Sequence, residues 1–259
     1  MIGPVHDTAA LVESRRHAVT RIGWSRPRHW LALGWRDLWR CPLPGVVHGL
    51  AIALFGAALW VAARERFWFL AGAFSGFLLV SPVLATGLYA VSRALERGER
   101  ATLATALRCW IPRDHRMLLF GVLLSAAGTG WVVTSASLIY GGAGADVVRT
   151  PADFIRHVVL SDSWLFELWL LLGGVLAAPL FASSVVALPL LLDRGDGVLA
   201  AVLTSWRCVM ANPVPLALWA LLIIGLTALG MATLLIGLVV VMPWLAHASW
   251  HAYRDLVAS

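Results

Sequence analysis

Apolar residues in this chain neither alternate nor stripe; they run. Uncharged apolar stretches occur at about 44–62, 67–91, 117–140 and 164–192. A bilayer core of about 30 Å needs roughly 20 such residues in a helix, so each predicts a transmembrane span. The last apolar stretch, from Val214 to about Trp250, would make a single helix about 55 Å long at 1.5 Å per residue. It fits better as two short spans, 214–230 and 232–252, turning near Gly230. The pattern therefore predicts an all-α, polytopic membrane protein with six transmembrane helices.

Between the runs the spacing changes to that of amphipathic helices. Leu199, Val202, Leu203, Trp206 and Met210 recur at three- and four-residue steps, with Thr204, Ser205 and Arg207 opposite. Leu103, Ala106, Leu107 and Trp110 repeat the pattern, as do Leu31, Trp35, Leu38 and Trp39. Such helices are expected to lie in the membrane interface with their apolar faces in the acyl boundary. They also sit at like places in an internal repeat. DLWRCP from Asp37, LRCWIP from Leu107 and SWRCVMANP from Ser205 each place Arg-Cys and then Pro before an apolar run. SPVLA, APLFA and MPWLA echo one another around Pro82, Pro179 and Pro243, and LERGE (95–99) matches LDRGD (192–196). Three hairpins result, each with an interfacial helix on one side. Pro82, Pro179, Pro189 and Pro243 lie inside spans, where a proline frees a carbonyl and kinks the helix. Ser81, Thr86, Ser183 or Ser184 are placed to satisfy the freed groups, while Gly72 and Gly76 allow close helix approach.

Composition agrees. Of 259 residues 60% are hydrophobic and 13% charged, and mean hydropathy is +0.80. The usual globular values are about 45–50% and 25%, so a water-soluble monomer, a disordered chain and a disulfide scaffold are excluded. The net charge of +6 comes entirely from arginine. No basic stripe with interleaved aromatics suggests a nucleic-acid partner. Under the six-span reading sixteen arginines fall on one side and four on the other, Arg64, Arg66, Arg149 and Arg156. The positive-inside rule then puts both termini in the cytoplasm. Residues 1–28 are expected to be a loose, basic cytoplasmic tail and 29–257 the membrane domain, with no secretory signal peptide removed.

Chemistry is sparse. Glu167 and Asp162 sit at the outer edge of the fourth span, and no GxxxxGK[ST], GxSxG or HExxH occurs. No catalytic, cofactor-binding or metal residue is assigned, and an enzyme is not expected. The best constellation is at the inner edge. His247 and His251, four apart, project from one side of the last span, and His48 lies one turn inside the first. Cys41, Cys109 and Cys208, all in the Arg-Cys context, lie near the same plane. Whether these bind metal or haem, or are interfacial and filler residues, stays open.

LGWRDLWRCPLPGVVHGL, LVSPVLATGLYAVSRALERGE, ALPLLLDRG and HASWHAYRDLV together resemble a family of bacterial inner-membrane proteins, domain of unknown function 2189, from about His29 to Val257. That resemblance implies a polytopic membrane protein without an established activity. The function expected is a non-enzymatic accessory or scaffold subunit of the bacterial inner membrane, packing with another membrane complex or with lipid. A haem- or copper-binding factor of respiratory assembly and a small permease are the alternatives.

Overall fold

The computed structural model describes residues 4–63, 65–66, 68–70, 72–73, 84–110, 115–144 and 147–258. Among these the regular structure is helical, apart from one isolated antiparallel bridge between Val19 and Val257. In chain order the helices are α1 (Pro4–Arg15), α2 (Arg26–Arg40), α3 (Pro42–Ala63), α4 (Thr86–Glu96), α5 (Leu103–Leu107), α6 (His115–Ala143), α7 (Pro151–Phe154), α8 (Leu165–Ser184), α9 (Ala187–Arg194), α10 (Val198–Ala211), α11 (Pro213–Ala232) and α12 (Leu238–Leu256).

Four helical segments are long and apolar enough to cross a membrane: Pro42–Val61, His115–Ala143, Leu165–Arg194 and Pro213–Ala232. They correspond to the first, third, fourth and fifth expected spans. The second expected span lies largely outside the described residues, as do Ser81, Pro82 and Gly76. The sixth corresponds to α12. Its first half, LVVVMPWLA, is oily, but His247, His251, Arg254 and Asp255 make its second half polar, so it does not qualify by composition.

The prolines act locally in different ways. Pro179 and Pro243 lie inside α8 and α12. Pro189 has a larger effect: its ring opposes the carbonyl four residues back, at Val185, and the helix is interrupted there between α8 and α9. The amide of Val186, freed at the break, donates to Ser205 Oγ at 3.1 Å. Ser184 Oγ donates back to the Phe181 carbonyl. At the far ends of α4 and α9, Gly98 and Gly195 take the same left-handed conformation, with φ of 70° and 73°. Both belong to the LERGE/LDRGD echo, and glycine ends a helix this way without a Cβ penalty.

Residues 1–53, 82–120 and 181–259 form one compact unit. Its axis is α12, packed by α2, α4, α9 and α11. Two glycines set the separations. A Cβ at Gly34 would lie 2.5 Å from the Ala248 amide nitrogen, and one at Gly49 would overlap the Val239 carbonyl. Backbone thus meets backbone on both sides of α12. Arg26 clamps Asp255 through two hydrogen bonds of 2.7 and 2.8 Å, and Trp30 Nε1 donates to the same carboxylate. Trp30 meets Trp219 edge-on, both fully buried.

The looseness expected of the first 25 or so residues is not found. α1 packs on α10, where Ser14 accepts from Thr204 Oγ1 at 3.0 Å and its carbonyl accepts from Arg207. His17 pairs with Asp196 at 2.7 Å, and the Ile22 amide donates to Asn212 Oδ1. A polar mixture suggested a tail because the partners of these groups lie some 180–190 residues away.

The second unit comprises residues 54–81 and 121–180. Its core gathers Ile139, Val148, Val158 and Leu165 with Trp68, Phe154 and Trp169 around them. Thr150 caps α7 in a reciprocal box with Asp153, and a π-turn over Ile155–Val159 follows.

The glycine contacts give a direct test. Gly34→Ala should destabilise the protein by about 1–3 kcal/mol, the usual cost of overpacking a closed contact. Gly23→Ala, where a Cβ would meet nothing within 4 Å, should be neutral. Denaturant titration of the detergent-purified variants measures both.

Candidate functional site

Four helices deliver polar side chains into the interior of the first unit. α2 supplies Asp37, α3 His48, α4 Ser92, and α12 both His247 and His251. All but His251 are buried. α12 presents His247 and His251 on one face because they are one turn apart. α2 lies along that face, and Ser92, on the buried side of α4, enters between them.

Asp37 Oδ2 is the centre. It accepts from Ser92 Oγ at 2.8 Å and from His251 Nε2 at 2.7 Å. Ser92 Oγ is also 2.8 Å from His247 Nδ1. A hydroxyl has one proton; since Ser92 gives it to Asp37, His247 must donate from Nδ1. Its Nε2 then carries a lone pair, and that atom, fully buried, has no hydrogen-bond partner. Nδ1 of His48 lies 2.7 Å from the Pro44 carbonyl. A carbonyl only accepts, so this ring too keeps its proton on Nδ1 and its lone pair on Nε2.

The electrostatics follow from this arrangement. Burial opposes ionisation of Asp37, but the hydrogen bond and charge of His251 and the hydrogen bond from Ser92 outweigh it, and its pKa is lowered from 3.8. Ser92 is closed to solvent and its proton is committed to a carboxylate. The order Asp–Ser–His therefore differs from a nucleophilic triad, in which histidine stands between serine and acid.

The cysteines expected near the same plane stay apart from this cluster. Each sulfur turns to a backbone carbonyl: Cys41 to Ala101 at 3.4 Å, Cys109 to Thr105 and Cys208 to Leu256, both at 3.8 Å. Burial raises the pKa of all three thiols, that of Cys208 to about 12 against the opposing charge of Arg207. They are thiols rather than thiolates. Among the described residues no three His, Cys, Asp or Glu side chains converge closely enough to hold a metal ion.

Sequence reasoning found the three histidines and missed Asp37 and Ser92. Asp37 did carry a signal, as the only acidic residue between Glu13 and Glu65 and within a helix rich in tryptophan. Ser92 carried none. A second polar cluster, around Asp193, is structural. Tyr253 donates to Asp193 at 2.8 Å, while Arg93, Arg97, Arg194 and Arg254 lie 3.6–3.9 Å from it. The ends of α4, α9 and α12 meet here, and Arg93 and Arg194 donate to the carbonyls of Leu192 and Ala258. Cations at helix C-termini offset the negative ends of the dipoles.

The lowered pKa of Asp37 predicts an acid limb in stability. A group whose folded pKa is depressed contributes fully above its ordinary value and loses that contribution as pH falls through the folded one. The wild type should therefore lose stability below pH 3.8 more steeply than Asp37→Asn. At neutral pH the variant should be weaker by about 1–3 kcal/mol, the cost of a buried polar network left unsatisfied. Denaturation curves across this pH range compare the two.

Neither the curated proteins nor the solved structures contain a match to this chain. A family model does match, over residues 69–193. That segment contains one of the four strings that suggested the likeness, LVSPVLATGLYAVSRALERGE, and most of a second, ALPLLLDRG, along with α4, Ser92 and two of the candidate membrane segments, His115–Ala143 and all but the last residue of Leu165–Arg194. The matching family is described as predicted integral membrane protein, DUF2189, and the apolar helices on either side of the matched segment agree with that description.

Proposed function

We propose that this protein is a non-enzymatic accessory or scaffold subunit of the bacterial inner membrane, with six spans in three hairpins and both termini cytoplasmic. The observation that carries this reading is the orientation of the short amphipathic helices. On α2 the protein buries Pro27, Trp30, Gly34, Asp37 and Leu38, and leaves Trp35 and Trp39 exposed, the latter by 63%. On α10 it buries Ala200, Ala201, Thr204, Ser205 and Cys208, while Leu199, Trp206 and Met210 face outward, Met210 by 68%. On α5, Ala106 is buried and Leu107 exposed.

On α10 the largest apolar side chains thus turn outward and the small and polar face turns inward, while α2 divides its apolar residues, burying Trp30 and Leu38 and turning Trp35 and Trp39 outward. Exposed indoles and aliphatic chains on several neighbouring helices are stable where the surroundings are themselves amphipathic, at the headgroup boundary. Trp35, Trp39 and Trp244 form an edge-to-face series with centroids 5.6 and 5.1 Å apart, a compact aromatic patch suited to that layer.

A sixth crossing by α12 is compatible with its polar end because α2, α4 and α9 sheathe that end. Polar side chains near a membrane are tolerated when buried in protein. The sixteen-to-four division of arginines supports cytoplasmic termini, and the sealed Asp37–Ser92–His247 cluster supports a role other than turnover.

Spin labels at positions 39 and 210, in the full chain reconstituted into liposomes, should be more accessible to oxygen than to an aqueous nickel chelate. A reporter enzyme fused after Ser259 should be active only as a cytoplasmic fusion. Aqueous accessibility at both labels would remove the interfacial placement, and a periplasmic reporter would remove the topology.

A further inference from the structure

We propose that the outward face of α2 binds anionic phospholipid headgroups through Arg36 and Arg40. This site rests on the interfacial placement of α2 proposed above, and adds to it a choice among lipids.

The first observation is uncompensated charge. α2 carries four arginines and a single acid. Arg26 pairs with Asp255, and Asp37 is turned inward, where Ser92 and His251 donate to it. Arg36 and Arg40 are exposed, and among the described residues neither makes a hydrogen bond or an ion pair. Arg40 is placed to offset the C-terminal end of the helix dipole. Arg36 stands one turn before it, and like charges at that spacing repel. The pair is stabilised by an anion from outside the chain.

The second observation fixes where that anion lies. Cys41 alone separates Arg40 from Pro42, the first residue of α3 and of a candidate membrane segment. Two residues reach at most about 7 Å, so Arg40 stands where α3 enters the lipid. Leu43, Val46 and Leu50 continue outward along α3. On α2 each arginine follows an exposed tryptophan, Trp35 before Arg36 and Trp39 before Arg40. An indole stripe and a guanidinium stripe therefore run side by side. Indoles favour the headgroup layer, and the guanidinium stripe beside them meets the phosphates. At the other end of α2 the Arg28 guanidinium lies 5.7 Å from the centre of the exposed Trp24 ring, so the same two groups recur there.

The chemistry of the pair selects the headgroup. Guanidinium is a planar fork of donors that matches phosphate oxygens. A zwitterionic headgroup offers the same phosphate, but its own cation is repelled by two neighbouring arginines without an acid beside them. A headgroup of net negative charge is not. Basic residues next to a membrane helix attract anionic lipid for this reason. An acidic protein would satisfy the charge as well, but the tryptophans and the direct passage into α3 favour the bilayer.

The test uses the full chain in liposomes of equal parts phosphatidylglycerol and phosphatidylcholine, with a trace of one or the other carrying a diazirine beside its headgroup. After illumination, label on α2 is measured by mass spectrometry. Phosphatidylglycerol should label α2 about 25-fold more than phosphatidylcholine, two arginines contributing about fivefold each. Arg36→Gln and Arg40→Gln should each lower that preference by about fivefold, and the double variant should abolish it. Arg15→Gln removes the same charge from α1, which has no tryptophan, and should label as wild type. Equal labelling of α2 by the two lipids, with a spin label at position 39 still more accessible to oxygen, would overturn this site and leave the interfacial placement standing. A preference that survives the double variant would also overturn it. So would labelling by neither lipid, the result if α2 is reserved for an acidic protein. Aqueous accessibility at position 39 would remove the placement and this site together.

Discussion

One helix begins oily and ends polar. The first half of α12 is oily, and the second half carries two histidines, an arginine and an aspartate. A polar helical face inside a nonpolar environment is stable only if every group finds a partner. The first unit is arranged around meeting that demand. α2 brings Asp37 to His251 and Arg26 to Asp255, α4 brings Ser92 to His247 and Glu96 to Arg254, and α9 brings Asp193 to Tyr253. The close approaches at Gly34 and Gly49 serve the same end, since short polar side chains bridge two helices only when the backbones nearly touch.

Wrapping α12 has a consequence for the helices that do it. A helix whose small and polar side faces inward has only its bulky apolar side left to show outward. α10 follows this rule, the reverse of a water-soluble bundle, and α2 follows it in part, since Trp35 and Trp39 stay exposed while Trp30 and Leu38 are buried. In water the exposed tryptophans, leucines and methionine would be a liability; at a bilayer surface they are an attachment. On the interfacial placement proposed above, satisfying the core and seating the protein on lipid are two results of one amphipathic pattern.

The same demand shapes the histidine cluster. Proton counting leaves no freedom in the chain from His247 through Ser92 to Asp37: every donor points toward the carboxylate, and the one atom pointing elsewhere is His247 Nε2. The contrast with the Asp193 cluster is instructive. There, cations, a tyrosine and helix ends offset one another around an acid at the margin of the unit, whereas the histidine cluster is sealed and ends on an open lone pair.

What the sequence determined by itself was the solvent. Long uncharged runs and amphipathic connectors are local properties, and hydrophobic length needs no partner to be read. The helices α3, α6, α8 with α9, and α11 follow from it, and the interruption before Pro189 follows from the proline ring itself. The one-turn pairing of His247 and His251 was equally legible, being set by helical pitch alone. Tertiary structure decided the rest. Amphipathic spacing shows that a helix has two faces but not which of them meets the protein, so the burial of Thr204 and Ser205, expected on the solvent side, could not be read. Nor could Ser92, and Asp37 showed only as a lone acid in a tryptophan-rich helix, since their partners lie from 55 to 214 residues away. A hydrogen-bonded site assembled from four helices exists only once they are packed, because no local period encodes which distant proton donor a buried carboxylate will meet.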